Sequence, residues 1–289
     1  MNCMTWVTLC LSTCLIQCNI GLTTTMNEYS ISRFLMPHDF KVHTLGIGDA
    51  YDGEHTNASV IVKQRDYSLL IDCGPTVPAA LFRCNISCHE LDAIYITHSH
   101  PDHCLGLTTL LNWMDSKQRS RPIKIIVQRE QKAIIEPLAH FAHWPVDALG
   151  YEIEWCESET LTKIGPWDAQ TAPTQHAVSN LSLHLTTSLG YQLLYSGDGQ
   201  LTGKSLKLAC ESDLVFAECE TIEPHTSHGS WAQLSSVEVK PGSQWKLYHI
   251  EPAVRSPLSI AIHHRTEFEL AKEDEILVAI NHWGNGNVA

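Results

Sequence analysis

The sequence predicts an α/β fold in which two sheets lie face to face with helices outside, and three observations predict it. From about Lys41 short apolar runs alternate with turn-rich segments, the second half repeats that rhythm, and no Pro-rich, Ser-rich or charged linker divides the halves. A chain of 289 residues with 44% apolar composition can bury a full core, so both halves are read as one domain over residues 26–289.

Taken in order, strands are expected over 42–45, 59–62, 68–71, 94–97 and 123–127. Gly46, Gly48, Asp49 and Gly53 make a loop after the first, and Asp72, Cys73, Gly74 and Pro75 end the third. The apolar spacing predicts packed helices over 105–114 and 130–141. Further strands are expected over 151–155, 181–186, 192–195, 214–217, 245–248 and 276–280.

Residues 1–25 stand apart, with no Lys, Arg, Asp or Glu and an apolar stretch from Trp6 to Leu22 broken by polar residues. A secretory signal would carry a basic start, and a lipoprotein site at Cys18 is poorly served by Gln17. The preferred reading is an extension upstream of a start at Met26, which places the protein in the cytoplasm; export is the alternative if residues 1–25 act as a signal. The stretch is too short and polar for a stable membrane span. Eleven cysteines, an odd number without framework spacing, favour a reducing compartment. Cys84 and Cys88 lack the second ligand pair of a zinc site and are read as structural. The Asn-x-Ser triplets at Asn57, Asn85 and Asn180 are read as chance.

A net charge of −13 offers no basic stripe, so no extended nucleic-acid surface is expected. The charge also reads simply as a solubility feature. A homodimer is compatible with it.

Chemistry concentrates in Thr97-His98-Ser99-His100-Pro101-Asp102-His103, where an expected strand meets an expected helix. His98 and His100 on a strand end point to one side, and the turn at Pro101 swings Asp102 and His103 toward a second point. Two adjacent metal positions result. The plainer reading is a helix cap with incidental histidines.

This segment resembles the His-x-His-x-Asp-His signature of the metallo-β-lactamase superfamily, and the likeness covers nearly all of the chain after Met26. His176, Asp198 in Tyr195-Ser196-Gly197-Asp198, and His249 are similar to the remaining ligand motifs. The resemblance implies an αββα four-layer sandwich with His98, His100 and His176 on one metal, Asp102, His103 and His249 on the other, and Asp198 bridging. Singly, His176 reads as a surface histidine and Asp198 as a turn residue; their order along the chain favours the ligand reading. Two divalent ions roughly 3.5–4 Å apart activate a shared water and hold the attacking and leaving oxygens of a displacement. Zinc suits these donors, and manganese or iron would be accepted. Asp72 is placed to fix a ligand imidazole, or is a simple turn former.

Within the superfamily the chain is similar to the ribonuclease Z group and its phosphodiesterase relatives, through Leu45-Gly46-Ile47-Gly48-Asp49 and the turn at Ile71-Asp72-Cys73-Gly74. Phe216-Ala217-Glu218-Cys219-Glu220-Thr221 resembles that group's His-Glu-Ala-Thr segment with Ala217 for its first His. Ser227-His228-Gly229-Ser230 resembles its His-x-Ser-Thr segment with Trp231 where Thr is expected. The resemblance implies a catalytic set of Asp102, His228 as the acid protonating the leaving oxygen, and Glu218 orienting it. Alternatively His225 and His228 are loop residues and Glu218 caps a strand. Arg255 could meet a phosphate or a carboxylate, or lie on the surface. The family's tRNA-gripping arm lies between the third and fourth ligand motifs, but His176 and Asp198 are 22 positions apart, enough for two strands and a turn only. The expected function is a two-metal hydrolase of a small or locally recognised phosphodiester. The alternative is a lactone, thioester or β-lactam hydrolase on the same dinuclear site.

Overall fold

The computed structural model describes residues 39–279; the expected extension over 1–25 and the start at Met26 lie outside the described residues. The first sheet is laid down by β1 (Lys41–Gly46), β2 (Ser59–Gln64), β3 (Tyr67–Ile71), β4 (Ala93–Tyr95), β5 (Ile123–Val127) and β6 (Ile153–Glu157). The second holds β7 (Lys163–Ile164), β8 (Trp167–Gln175), β9 (Leu181–Thr186), β10 (Gln192–Tyr195), β11 (Gln200–Leu201), β12 (Leu214–Glu218), β13 (Gln244–Tyr248) and β14 (Phe268–Leu270). The chain then returns through β15 (Ile276–Val278) to the first sheet, whose order is β15-β1-β2-β3-β4-β5-β6. The second sheet runs β11-β8-β9-β10-β12-β13-β14, with β7 beside β8.

Three apolar cores give the layering. One packs the first sheet (Leu45, Leu70, Ile94, Ile125) against the helices Val77–Arg83, Gly106–Ser116 and Lys132–Phe141. A second lies between the sheets, joining Val60, Ile71 and Tyr95 to Trp167, Leu183, Leu193 and Phe216. The third packs the second sheet (Val215, Trp245, Leu247) against Leu208 and Leu258 of the helices Gly203–Glu211 and Pro252–Ala261. Three interfaces between four layers make the expected αββα sandwich. Alternation along β1 shows how a strand serves two cores: Val42 enters the inner core and Leu45 the outer one.

Departures from the expected elements have local causes. The expected strand at 151–155 is displaced to Ile153–Glu157, because the Tyr151 hydroxyl donates to Leu111 O at 2.9 Å and holds that residue outside the sheet. The nine-residue β8 carries no apolar run; after Trp167 its apolar positions are small, set among polar side chains, and it contains Pro173. Pro257 sits inside the helix Pro252–Ala261 and masks its helical signal. Among the described residues the cysteines form no disulfide, and no helix is long and apolar enough to cross a membrane.

Candidate metal centre

The chemistry-bearing residues gather at the carboxyl ends of strands. His98 to His103 follow β4, His176 follows β8, Asp198 follows β10, Glu218 ends β12 and His249 follows β13. In open α/β sheets ligands bind outside these ends, where connections diverge.

Two four-donor groups result, His98 with His100, His176 and Asp198, and Asp102 with His103, Asp198 and His249, each with its donor atoms within 4.8 Å of one another. The structure therefore brings together all seven residues expected as ligands, with Asp198 common to both groups.

Protein partners fix which nitrogen faces inward for His98, His103 and His176. His176 Nδ1 donates to Ser227 O at 2.7 Å, and His103 Nδ1 donates to Asp72 Oδ2 at 2.8 Å. The Thr97 hydroxyl gives its proton to the Asp72 carboxylate at 2.9 Å, so it accepts from His98 Nδ1 at 3.1 Å. Each of these rings is left with an Nε2 lone pair directed at the centre. His98 Nε2 and His176 Nε2 lie 3.0 and 3.1 Å from His100 Nδ1. Converging lone pairs repel unless a cation or proton lies between them. Buried His103 Nε2 and Asp198 Oδ1 face each other at 3.2 Å, and neither finds a hydrogen-bond partner. Imidazoles and carboxylates so arranged fit divalent cations, with outer acceptors holding the rings of His98, His103 and His176.

The charges agree with that fit. Burial lowers the pKa of His98, His100 and His176, favouring the neutral ligand form. Burial opposes charge on His103 and His249 too, yet Asp198 with Asp72 raises the first well above its usual value, and Asp198 with Asp102 raises the second to about 9. Burial would raise Asp102, but hydrogen bonds from His103 and His249 pull it well below the carboxylate range. The second group is thus a place that favours positive charge.

Local backbone geometry is demanding here. Asp72 and His249 adopt φ values of 60° and 51°, in the left-handed region that bulky residues rarely enter. The His249 amide donates to Ile47 O at 2.9 Å, anchoring it on the loop after β1. Asp198 sits between Gly197 (φ 64°) and Gly199 (φ 94°); a Cβ on Gly197 would lie 2.2 Å from Asn180 Oδ1. Only glycines allow this turn.

Beside the two groups lies the pair expected to be catalytic. His228 Nδ1 donates to Glu218 Oε1 at 2.6 Å and also pairs with the Glu220 carboxylate. The other oxygen of Glu218 accepts the amides of Gly199 and, at 2.8 Å, Gly229. Burial works against charge on His228, but its bonds to Glu218 and Glu220 push it up to about 10. Burial and Asp198 push Glu218 up to about 7 despite the bond from His228. The His228 ring lies 4.9 Å from that of His176 and 6.4 Å from that of His249, centroid to centroid. The loop carrying it is closed at its base by a bridge between Thr221 and Ser230. Gln200, Gln175 and His176 donate to the carbonyls of His225, Thr226 and Ser227.

Sequence reasoning overlooked several supports. Asn180 accepts the Asp198 amide at 3.2 Å and donates to Ser196 O at 2.9 Å, and the Tyr248 hydroxyl donates to Gly197 O at 2.9 Å. Gln128 donates to Thr97 O at 2.8 Å. A polar residue placed at a strand end was the one signal that could have found them. Arg255 meets a carboxylate of its own chain, Asp52, at 2.6 Å.

Compared with known proteins, residues 40–276 match the family described as Anti-Pycsar protein Apyc1. The anti-Pycsar protein Apyc1 of Saccharibacillus brassicae is 36% identical over 94 residues, 32% of this chain and 37% of that protein, so the match spans little more than a third of the relative. The anti-Pycsar protein Apyc1 of Paenibacillus harenae is 26% identical over 204 residues, 67% of this chain and 82% of that protein. Among solved structures, the metallo-β-lactamase fold protein YhfI of Bacillus subtilis superposes with a TM-score of 0.69 at 19% identity, over 83% of this chain and 99% of its own. The short form of human tRNase Z does so with 0.66 at 18% identity, over 83% and 100%. At such identities the likeness is one of fold, and the fold is that of the metallo-β-lactamases.

Proposed function

The chain belongs to the Anti-Pycsar protein Apyc1 family, whose match covers residues 40–276, and from that premise we propose that it is a metal-dependent phosphodiesterase of small substrates such as cyclic nucleotides. The observation that carries this reading is the Glu218–His228 pair set against two donor groups that share Asp198. Hydrolysis at a carbonyl would need the donor groups but not that pair.

His98, His100, His176 and Asp198 would hold one cation, and Asp102, His103, His249 and Asp198 a second, with zinc favoured by the donor set. When bound, such ions lower the pKa of a shared water and neutralise the charge of the diester. The residues of the chain do the rest. Because Nδ1 of His228 is engaged by Glu218, the ring presents Nε2–H as its transferable proton. An alkoxide leaving group needs that proton as its bond to phosphorus breaks. Glu218 keeps the ring charged and oriented, and its other oxygen sets the Gly199 and Gly229 backbone on either side. Asp72 and Ser227 O hold the ligand rings in the tautomers described.

Small substrates are favoured by two features. The segment between His176 and Asp198 is taken up by β9 and β10, leaving no arm to grip a tRNA body. A net charge of −13 disfavours a long polyanion. The test compares the metal-loaded protein on a cyclic nucleotide, bis(p-nitrophenyl) phosphate, a precursor tRNA and a lactone. The small diesters should be cleaved well and the other two poorly; efficient tRNA trimming, or lactone hydrolysis without diesterase activity, overturns the reading.

A further inference from the structure

Outside that centre, a second set of metal-ligating side chains converges at the return of β15 to the first sheet. His43 Nε2 stands 3.7 Å from Asp274 Oδ1, and the Cys84 thiol donates to the same oxygen at 3.1 Å. All three donor atoms lie within 4.8 Å of one another. They come from three segments: β1, the residue closing the helix Val77–Arg83, and the turn before β15. His43 shares the face of Leu45, which packs in the outer core beside that helix, so its ring is directed toward Cys84. Asp274 is pinned by its amide, which donates to Thr44 O at 2.8 Å, and β15 pairs with β1 at Ile276 opposite His43. The fold that seals the sheet edge thereby assembles the three donors.

We propose that His43, Cys84 and Asp274 form a separate site for a thiophilic divalent ion such as zinc, with water completing the coordination. Zinc bonds of about 2.0–2.1 Å to nitrogen and oxygen and about 2.3 Å to sulfur separate neighbouring tetrahedral ligands by roughly 3.2–3.9 Å. For a nitrogen–oxygen pair that is about 3.4 Å and for a sulfur–oxygen pair about 3.5 Å, so the His43–Asp274 distance of 3.7 Å and the Cys84–Asp274 distance of 3.1 Å each need a shift of about 0.4 Å or less. A thiolate selects zinc-like ions over magnesium and calcium. Binding releases the thiol proton now shared with Asp274 to solvent, and the ion takes its place between sulfur and oxygen. Access is open, since the Asp274 side chain is 72% exposed while that of His43 is only 17% exposed. An ion here would tie β1, the helix end and the last strand of the first sheet together.

Among the described residues no other donor group contains sulfur, so a thiolate signal that depends on Cys84 reports this site. The full chain, reduced and freed of metal, is titrated with cobalt(II) and followed by its thiolate-to-metal charge-transfer absorption in the near ultraviolet. The band should saturate at one cobalt beyond those taken up by the main centre, vanish in Cys84→Ser, and need at least about tenfold more cobalt in His43→Gln. Absence of the band at saturation, or its persistence in Cys84→Ser through another thiol, overturns the assignment. Should Cys84→Ser fail to fold, Asp274→Asn changes an exposed side chain, and an unaltered cobalt affinity of the band in that variant is equally decisive against it.

Discussion

In the first sheet three antiparallel pairings give way to three parallel ones, and the second sheet repeats that sequence of pairings. β3 thus corresponds to β10; Asp72 follows the first directly, and Asp198 follows the second two residues further along its turn. Their surroundings differ. Asp72 is met by His103 Nδ1 and Thr97, and stays behind the donor ring. Asp198 is carried forward by its two flanking glycines into both donor groups. The first half delivers four donors from one loop; the second delivers one per strand end, each on a turn of its own. The same scaffold can therefore place a carboxylate as support or as ligand, and the turn after the strand decides which.

The sharpest way to break the comparison is to remove each carboxylate in turn. Asp198→Ala should lower hydrolysis by about 10³-fold or more and reduce bound metal in elemental analysis, because both groups lose a donor. Full activity with an unchanged metal content would show that Asp198 is no more central than Asp72. His228→Ala should slow diesters with poor leaving groups by about 10²–10⁴-fold and nitrophenyl diesters far less. Equal losses on both would remove His228 from proton donation. Asp72→Ala should cost about 10–100-fold in metal affinity or activity, the effect of a group acting through a ligand ring; a loss as large as that of Asp198→Ala would erase the distinction drawn here.

Smaller effects refine it. Since Glu218 and Glu220 hold the His228 proton against burial, Glu218→Gln should lower the pKa of that ring. The proton is then lost at lower pH, so the alkaline limb of the kcat/KM profile moves toward neutrality. A limb that stays put would assign the titration elsewhere. Asn180→Ala leaves the Asp198 amide and Ser196 carbonyl without their side-chain partner and should destabilise the fold by about 1–3 kcal/mol, read by urea unfolding. A change within a few tenths would mean the glycines and the Tyr248 hydroxyl suffice to set that turn.

The unequal loading of the halves also governs what could be read without coordinates. Four donors within six residues after β4 announce themselves, since no ordinary cap needs three imidazoles. Asp198 and His249 stand out only through their order in a known series, because a carboxylate after a strand is common in any turn. Asn180 could not be told from a chance glycosylation triplet: its function depends on a turn sixteen residues later closing over it. β8 was missed for a related reason, as its small apolar and polar residues alternate without the branched runs that mark a central strand. The αββα layering survived that omission because the remaining strands already implied two sheets.

The loop between Thr221 and Ser230 has a practical corollary. Its contacts to Gln175, Gln200 and His176 are made through main-chain carbonyls, while the side chains of residues 223–226 are exposed. A segment gripped by its backbone leaves its own side chains free to vary. Residues 223, 224 and 226 are therefore the natural cassette for redesign, whereas the His225 ring accepts the Ser227 amide at 3.3 Å and lies 5.0 Å from that of His228, so keeping it keeps His228 in place.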